Sequence, residues 1–177
     1  MLFLFVIMLL VGGVLALGFL LPDKVRIERE TLIEAPADTV FGLISDFKKW
    51  ESWSPWAALD PDAEYDFSGE GVGARMVWKS DKREVGNGAQ EIIALQAPTK
   101  MVTALDFGEM GRARATFDIE PSGPNAVVKW SLDTNMREGV PLHKQPMATF
   151  MSFMMDKWVG KSYEDGLASL KDRAEGR

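Results

Sequence analysis

Few side chains in this sequence can move protons or hold ions. His143 is the only histidine and there is no cysteine in 177 residues. Thiol nucleophiles, Cys-ligated or His-rich metal sites and mechanisms that need two imidazoles are therefore excluded, and neither a metal nor a cofactor is expected. His143 lies in Val140-Pro141-Leu142-His143-Lys144-Gln145-Pro146, a loop pattern ahead of a helix, where a solvated or loop-pinning histidine is expected over a general base. Neither G-x-S-x-G nor H-E-x-x-H occurs, so serine-hydrolase and zinc-hydrolase chemistry lack their partners. Gly69-Glu70-Gly71-Val72-Gly73 is followed by a strand pattern. A phosphate cradle needs a helix there, so this run reads as a hairpin turn.

The carboxylates are the remaining candidates for acid–base work, because an apolar pocket raises a carboxyl pKa towards neutrality. Glu91 shares strand parity with Ile93 and Leu95 and is the one candidate catalytic acid, provided that parity faces a cavity. Asp106 stands across the Gly108–Gly111 turn from Arg112 and Arg114, where a cross-strand ion pair is expected. The strongest signal is bulk. Met76, Trp78 and Trp130 recur on strand parities, and Met147, Met151, Met154, Met155 and Trp158 recur at helical spacing. Flexible methionines suit an adaptable apolar surface, and these eight residues are the candidate ligand-lining set. Core packing explains the same pattern without a ligand. Trp50, Trp53 and Trp56 have three readings: packing onto a sheet, lining a cavity mouth, or resting at a membrane interface.

Those side chains have to be positioned by recognisable elements. Lys24 to Glu34 alternates charged and apolar residues as a half-buried strand does, and Ala35-Pro36-Ala37-Asp38 opens a helical pattern through Val40, Phe41, Ile44 and Phe47. A helix-and-loop stretch follows, with Ser54-Pro55 expected to end the helix. Six strands come next, at Glu64–Ser68, Ala74–Ser80, Ala89–Gln96, Met101–Phe107, Arg112–Glu120 and Ala126–Thr134, separated by Gly, Pro and Asn turns. Connections this short join only antiparallel neighbours, which gives a meander. From about Pro146 to Arg173 one long helix is expected, with a single broad apolar face and weak points at Gly160 and Gly166.

Residues 1–21 contain no charged or polar side chain. As a helix they reach roughly 30 Å, the thickness of the hydrocarbon layer. A signal peptide needs a basic start and a shorter apolar run, so a single-pass transmembrane anchor is expected, followed by one domain over residues 24–173. Lys24, Arg26 and Arg29 flank only the distal end, which places the domain on the cytoplasmic side. With 26 acidic against 20 basic residues and a net charge of −6, a nucleic-acid partner is not expected.

A strand, a helical insertion, six meander strands and a closing helix make an α+β chain: a curved antiparallel sheet of about seven strands wrapped on a C-terminal helix. The sequence resembles the SRPBCC superfamily, also described as START-like, Bet v 1-like or polyketide cyclase/dehydrase-like, with the helix-grip fold. The residues carrying the resemblance are Ile33 to Phe41, Asp46-Phe47 through Trp50 to Trp56, Gly71-Val72-Gly73-Ala74 leading to Trp78, Gly86-Asn87-Gly88 before Gln90-Glu91-Ile92, and Tyr163 to Lys171. It covers Val25 to Lys171 and implies a hydrophobic or lipid-like small molecule held between sheet and helix. Binding is expected over catalysis; the alternatives are a cyclase/dehydratase-like enzyme using a cavity carboxylate and a ligand-free, co-chaperone-like interaction module.

Overall fold

The computed structural model describes residues 12–13 and 17–177. Most of the expected anchor, residues 1–21, therefore lies outside the described residues. Among the described residues no helix is long and apolar enough to cross a membrane.

Strand β1 (Lys24–Ile33) alternates as its sequence dictates, with Ile27 and Ile33 buried and every even-numbered side chain exposed. Pro36 fixes the entry to α1 (Ala37–Ile44), which buries Ala37, Val40 and Ile44. A 3-10 turn over Phe47–Ser52 follows, started by Asp46, whose side chain accepts from the Lys48 backbone N–H at 3.0 Å. Pro55 begins the short helix α2 (Pro55–Leu59) at its first position. The proline thus opens a helix as well as closing the segment before it, because a first-turn residue needs no N–H.

The meander comprises β2 (Glu64–Ser68), β3 (Arg75–Lys79), β4 (Gly88–Gln96), β5 (Lys100–Asp106), β6 (Arg112–Ser122) and β7 (Asn125–Asn135). All neighbours are antiparallel, and β1 joins on β7 to give the order β1-β7-β6-β5-β4-β3-β2. The seven-stranded curved sheet and the long final helix expected from the sequence are both present. That helix, α3 (Gln145–Ala174), has β1 as its principal neighbour. Its far end is tied there by Lys171 Nζ donating to the Leu32 carbonyl at 2.7 Å, and by Glu175 accepting from the Glu34 N–H at 2.7 Å. One apolar core runs from α1 across the concave face of the sheet to the second half of α3.

Candidate functional site

The space between sheet and helix has two unlike ends. Beneath the second half of α3 it is filled by aromatic rings. Tyr163 stacks on Trp130 at 3.9 Å between centroids, Trp130 stacks on Phe117 at 4.6 Å, and Trp50 and Trp53 meet Trp130 edge-on at 6.2 and 5.8 Å. Trp50 and Trp53 donate their indole N–H groups to the Ile44 and Leu43 carbonyls. That fixes both rings inside the core, so packing is the role the structure gives them. Gly166 permits the close approach: a Cβ there would stand 2.8 Å from Trp130 Cζ3 and 3.0 Å from Pro55 Cδ. Burial pushes the Tyr163 phenol far above its ordinary range. The Trp130 indole N–H is buried with no partner, an uncompensated group at the centre of the cluster.

The other end, under the first turns of α3, is less completely covered. Thr134 pairs with both Val25 and Ala113, and Ala113 with Leu105. At this end Val25, Leu105, Phe107 and Ala113 remain only half-buried, as do Met155 and Val159 of α3. Lys144 reaches Glu109 in the β5–β6 turn at 2.7 Å and fastens the start of the helix there. Between the two ends the concave face carries one buried polar pair, Gln90 Nε2 donating to Thr103 Oγ1 at 3.0 Å. Half-buried apolar side chains beside one oriented polar pair match the side-chain composition of small-molecule sites.

Arg29 sets the height of the helix above the sheet. It shares the inward parity of Ile27, and its guanidinium donates to Glu164 at 2.7 Å and to Asp156 at 3.1 Å on α3. These contacts raise its pKa, the Asp156 hydrogen bond contributing most. Gly160 lies directly above, and a Cβ there would overlap the guanidinium.

The eight residues expected to line one cavity divide into three groups. Met76, Trp78 and Trp130 are buried on the concave face; Met151 and Met155 are half-buried; Met147, Met154 and Trp158 are exposed. The single broad apolar face expected for α3 is also corrected. Met154 and Tyr163 are nine residues apart, as are Trp158 and Leu167, and nine steps of about 100° place the members of each pair on opposite sides of a helix. Met147, Met154 and Trp158 thus form an outward apolar line in the first half, opposite the buried stripe of the second, while Met155 and Val159 still turn inward.

Glu91 does not face the sheet–helix space. Gln90 and Ile92 take the inward positions and Glu91 is exposed opposite Arg75, because a bulge between Ile92 and Ala94 breaks the parity that linked it to Leu95. Asp106 pairs with Arg112 at 3.3 Å and accepts from the Gly108 N–H at 2.8 Å; that backbone hydrogen bond is the main cause holding its carboxyl below the usual range. His143 is exposed in the 3-10 turn Leu142–Lys144. Gly69 to Gly73 form the β2–β3 connection. Among the described residues no cluster of His, Cys, Asp or Glu is placed to hold a metal ion.

Among the described residues, clefts also open elsewhere on the surface. One, of about 310 Å³, runs between the α1 exit at Ser45–Lys48 and the β2–β3 connection. Another, of about 540 Å³, is a charged depression on the outer face of β1, β7, β6 and β5, lined in part by Glu28, Lys100 and Lys129.

The positions that sequence reasoning missed are Arg29, Gly160, Gln90 and Thr103. A signal existed for Arg29, a charged residue on the same parity as Ile27 and Ile33. None existed for Gly160, since a close approach depends on what lies opposite.

The family described as polyketide cyclase / dehydrase and lipid transport matches residues 24–175. No curated protein matches the chain. Among solved structures, truncated norcoclaurine synthase from Thalictrum flavum superposes with a TM-score of 0.63 at 15% identity, over 87% of this chain and 95% of that one. The di-domain ARO/CYC StfQ from the steffimycin biosynthetic pathway gives 0.67 at 11% identity, over 87% of this chain and 51% of that one. The Aha1 dimer from Colwellia psychrerythraea gives 0.54 at 18% identity, over 85% and 96%. Likeness at these identities shows a shared fold.

Proposed function

The chain belongs to the polyketide cyclase / dehydrase and lipid transport family, and from that membership we propose that it binds a hydrophobic or lipid-like small molecule on the concave face of the sheet, tethered to a membrane by residues 1–21. The observation that carries the binding reading is the contrast within the sheet–helix space. Its far end is closed by stacked rings, whereas its near end leaves Leu105, Phe107 and Ala113 half-buried beside the Gln90–Thr103 pair. An apolar ligand entering under the first turns of α3 buries those side chains, and its polar atom meets Gln90 or Thr103.

The tether supports the same reading. Residues 1–21 are long and apolar enough to span, and a tethered domain samples ligands held in the bilayer at high local concentration. The basic flank at Lys24, Arg26 and Arg29 supports a cytoplasmic domain. Binding without turnover is favoured because the one candidate acid, Glu91, faces solvent on the opposite side of the strand.

The test is native mass spectrometry on the full chain extracted in mild detergent, followed by organic extraction of what it carries. A defined apolar mass, displaced by an added fatty acid or aromatic polyketide, supports the proposal. A clean apo mass that stays apo against both overturns it. That result would favour a second reading, a ligand-free interaction module, which the ring-filled end and the outward stripe of α3 also support.

A further inference from the structure

Residues 17–21, the end of the apolar N-terminal segment, are fastened to the start of α3. Arg137, in the connection after β7, donates through Nη2 to the carbonyls of Gly18, Phe19 and Leu21 at 3.1, 2.9 and 2.9 Å. Its Nε reaches Thr149 Oγ1 on α3 at 3.4 Å, its guanidinium lies 6.0 Å above the Phe19 ring, and Asp23 stands 3.9 Å away. Residues 17–20 are helical, and a cation on the last free carbonyls of a helix is a favourable C-terminal cap. Gly18 packs against Pro146 so tightly that a Cβ would stand 2.7 Å from the proline Cβ. The segment is therefore not joined to the domain by a loose linker.

The outward stripe of α3 begins at this junction. Met147 is 65% exposed, Met154 43% and Trp158 50%, spaced seven and four residues apart along one side of the helix, and Leu20 on the fastened segment is 81% exposed. On the inward side of the same half, Pro146, Met155 and Val159 are interspersed with small or polar residues, Ala148, Thr149 and Ser152. A helix that also carries a line of exposed Met and Trp side chains on its outer side suits an apolar surrounding there.

We propose that the outward stripe on the first half of α3 rests on the surface of the lipid bilayer, in an orientation fixed by the Arg137 clamp; this rests on the reading of residues 1–21 as a membrane span. The occupant follows from continuity. A spanning helix leaves the bilayer at its last turn, and that turn is bonded to the end of α3 that carries the stripe. Exposed Met and Trp side chains suit the boundary between acyl chains and headgroups.

The test uses the full chain reconstituted in phosphatidylcholine vesicles, with flotation and tryptophan quenching as separate readouts. Bromines on the acyl chains are expected to quench an emission component that disappears in Trp158→Phe, a surface substitution that leaves the core intact. Arg137→Gln should diminish that quenching while the protein still floats; should this variant fold poorly, the comparison of wild type with Trp158→Phe still decides. Flotation with Trp158 reached only by aqueous acrylamide overturns the bilayer contact but leaves the anchor standing. Flotation with Trp158 shielded from both quenchers overturns it in favour of a protein surface, from a second copy or another partner. Failure to float overturns the anchor and the contact together.

Discussion

The guanidinium of Arg29 occupies the place that a side chain at residue 160 would take. Gly160 is buried in the middle of α3, and the missing Cβ lets Arg29 pass beneath the helix to Asp156 and Glu164. The helix is thereby set at a fixed height above β1.

Gly160→Ala should destabilise the protein although alanine favours helices by about 1 kcal/mol over glycine. The added methyl overlaps Arg29, and overpacking of this kind costs about 1–3 kcal/mol. In Arg29→Ala the same substitution should be neutral or stabilising, so urea unfolding of the two single variants and the double variant should show strong non-additivity. Additive effects would mean that the two residues do not meet.

Trp130→Ala should cost about 3–5 kcal/mol, the range for removing a large buried aromatic, because Trp130 is the ring on which Tyr163 and Phe117 both stack. Trp130→Phe should cost much less, since the indole N–H has no partner to lose. Chemical denaturation of both variants checks the difference.

Gln90→Leu should weaken binding of a ligand bearing a carbonyl or hydroxyl by roughly tenfold, the effect of losing one hydrogen bond, and leave a pure hydrocarbon ligand unaffected. Glu91→Gln should change neither affinity nor any turnover, because its carboxylate is exposed away from the concave face. Titrations with a fatty acid and an alkane of matched length test both.

Asp60, buried at the α2–β2 junction, accepts from the Ser80 hydroxyl at 2.5 Å and pairs with Lys82 at 3.4 Å; these contacts hold its carboxyl below the usual range, Ser80 contributing most. A carboxyl with a depressed folded pKa adds stability that is fully present above its unfolded value of about 4 and is lost as pH falls through the folded value. Stability should therefore decline on acidification below about pH 4. In Asp60→Asn the decline should be shallower, as read by urea midpoints at stepped pH. An unchanged acid limb would remove Asp60 as a cause.

Much of the fold is legible in the sequence because its signals are local. The alternation in Lys24–Ile33, the Gly and Pro turns between six apolar runs and the 3.6-residue rhythm of Tyr163, Leu167 and Leu170 each depend on residues a few positions apart. The Asp106–Arg112 pair is legible for the same reason, since a short turn brings them opposite each other. Glu91 was misplaced by one such rule: parity counting assumes an unbroken strand, and the Ile92/Ala94 bulge breaks it.

By itself the sequence determined the element order, the antiparallel meander, the acidic character and the apolar run of residues 1–21, all of which follow from composition and short-range periodicity. Tertiary structure alone decided which side of α3 meets the sheet. The first half of that helix is apolar on the side away from the second half's buried stripe, and no periodicity chooses between two apolar faces. The choice is made by long-range contacts, by Trp130 stacking on Tyr163, by Arg29 reaching through the gap at Gly160 and by Arg137 fastening residues 17–21 to the start of the helix. These contacts join residues far apart in the chain, and the free energy that selects them exists only once both partners are brought together.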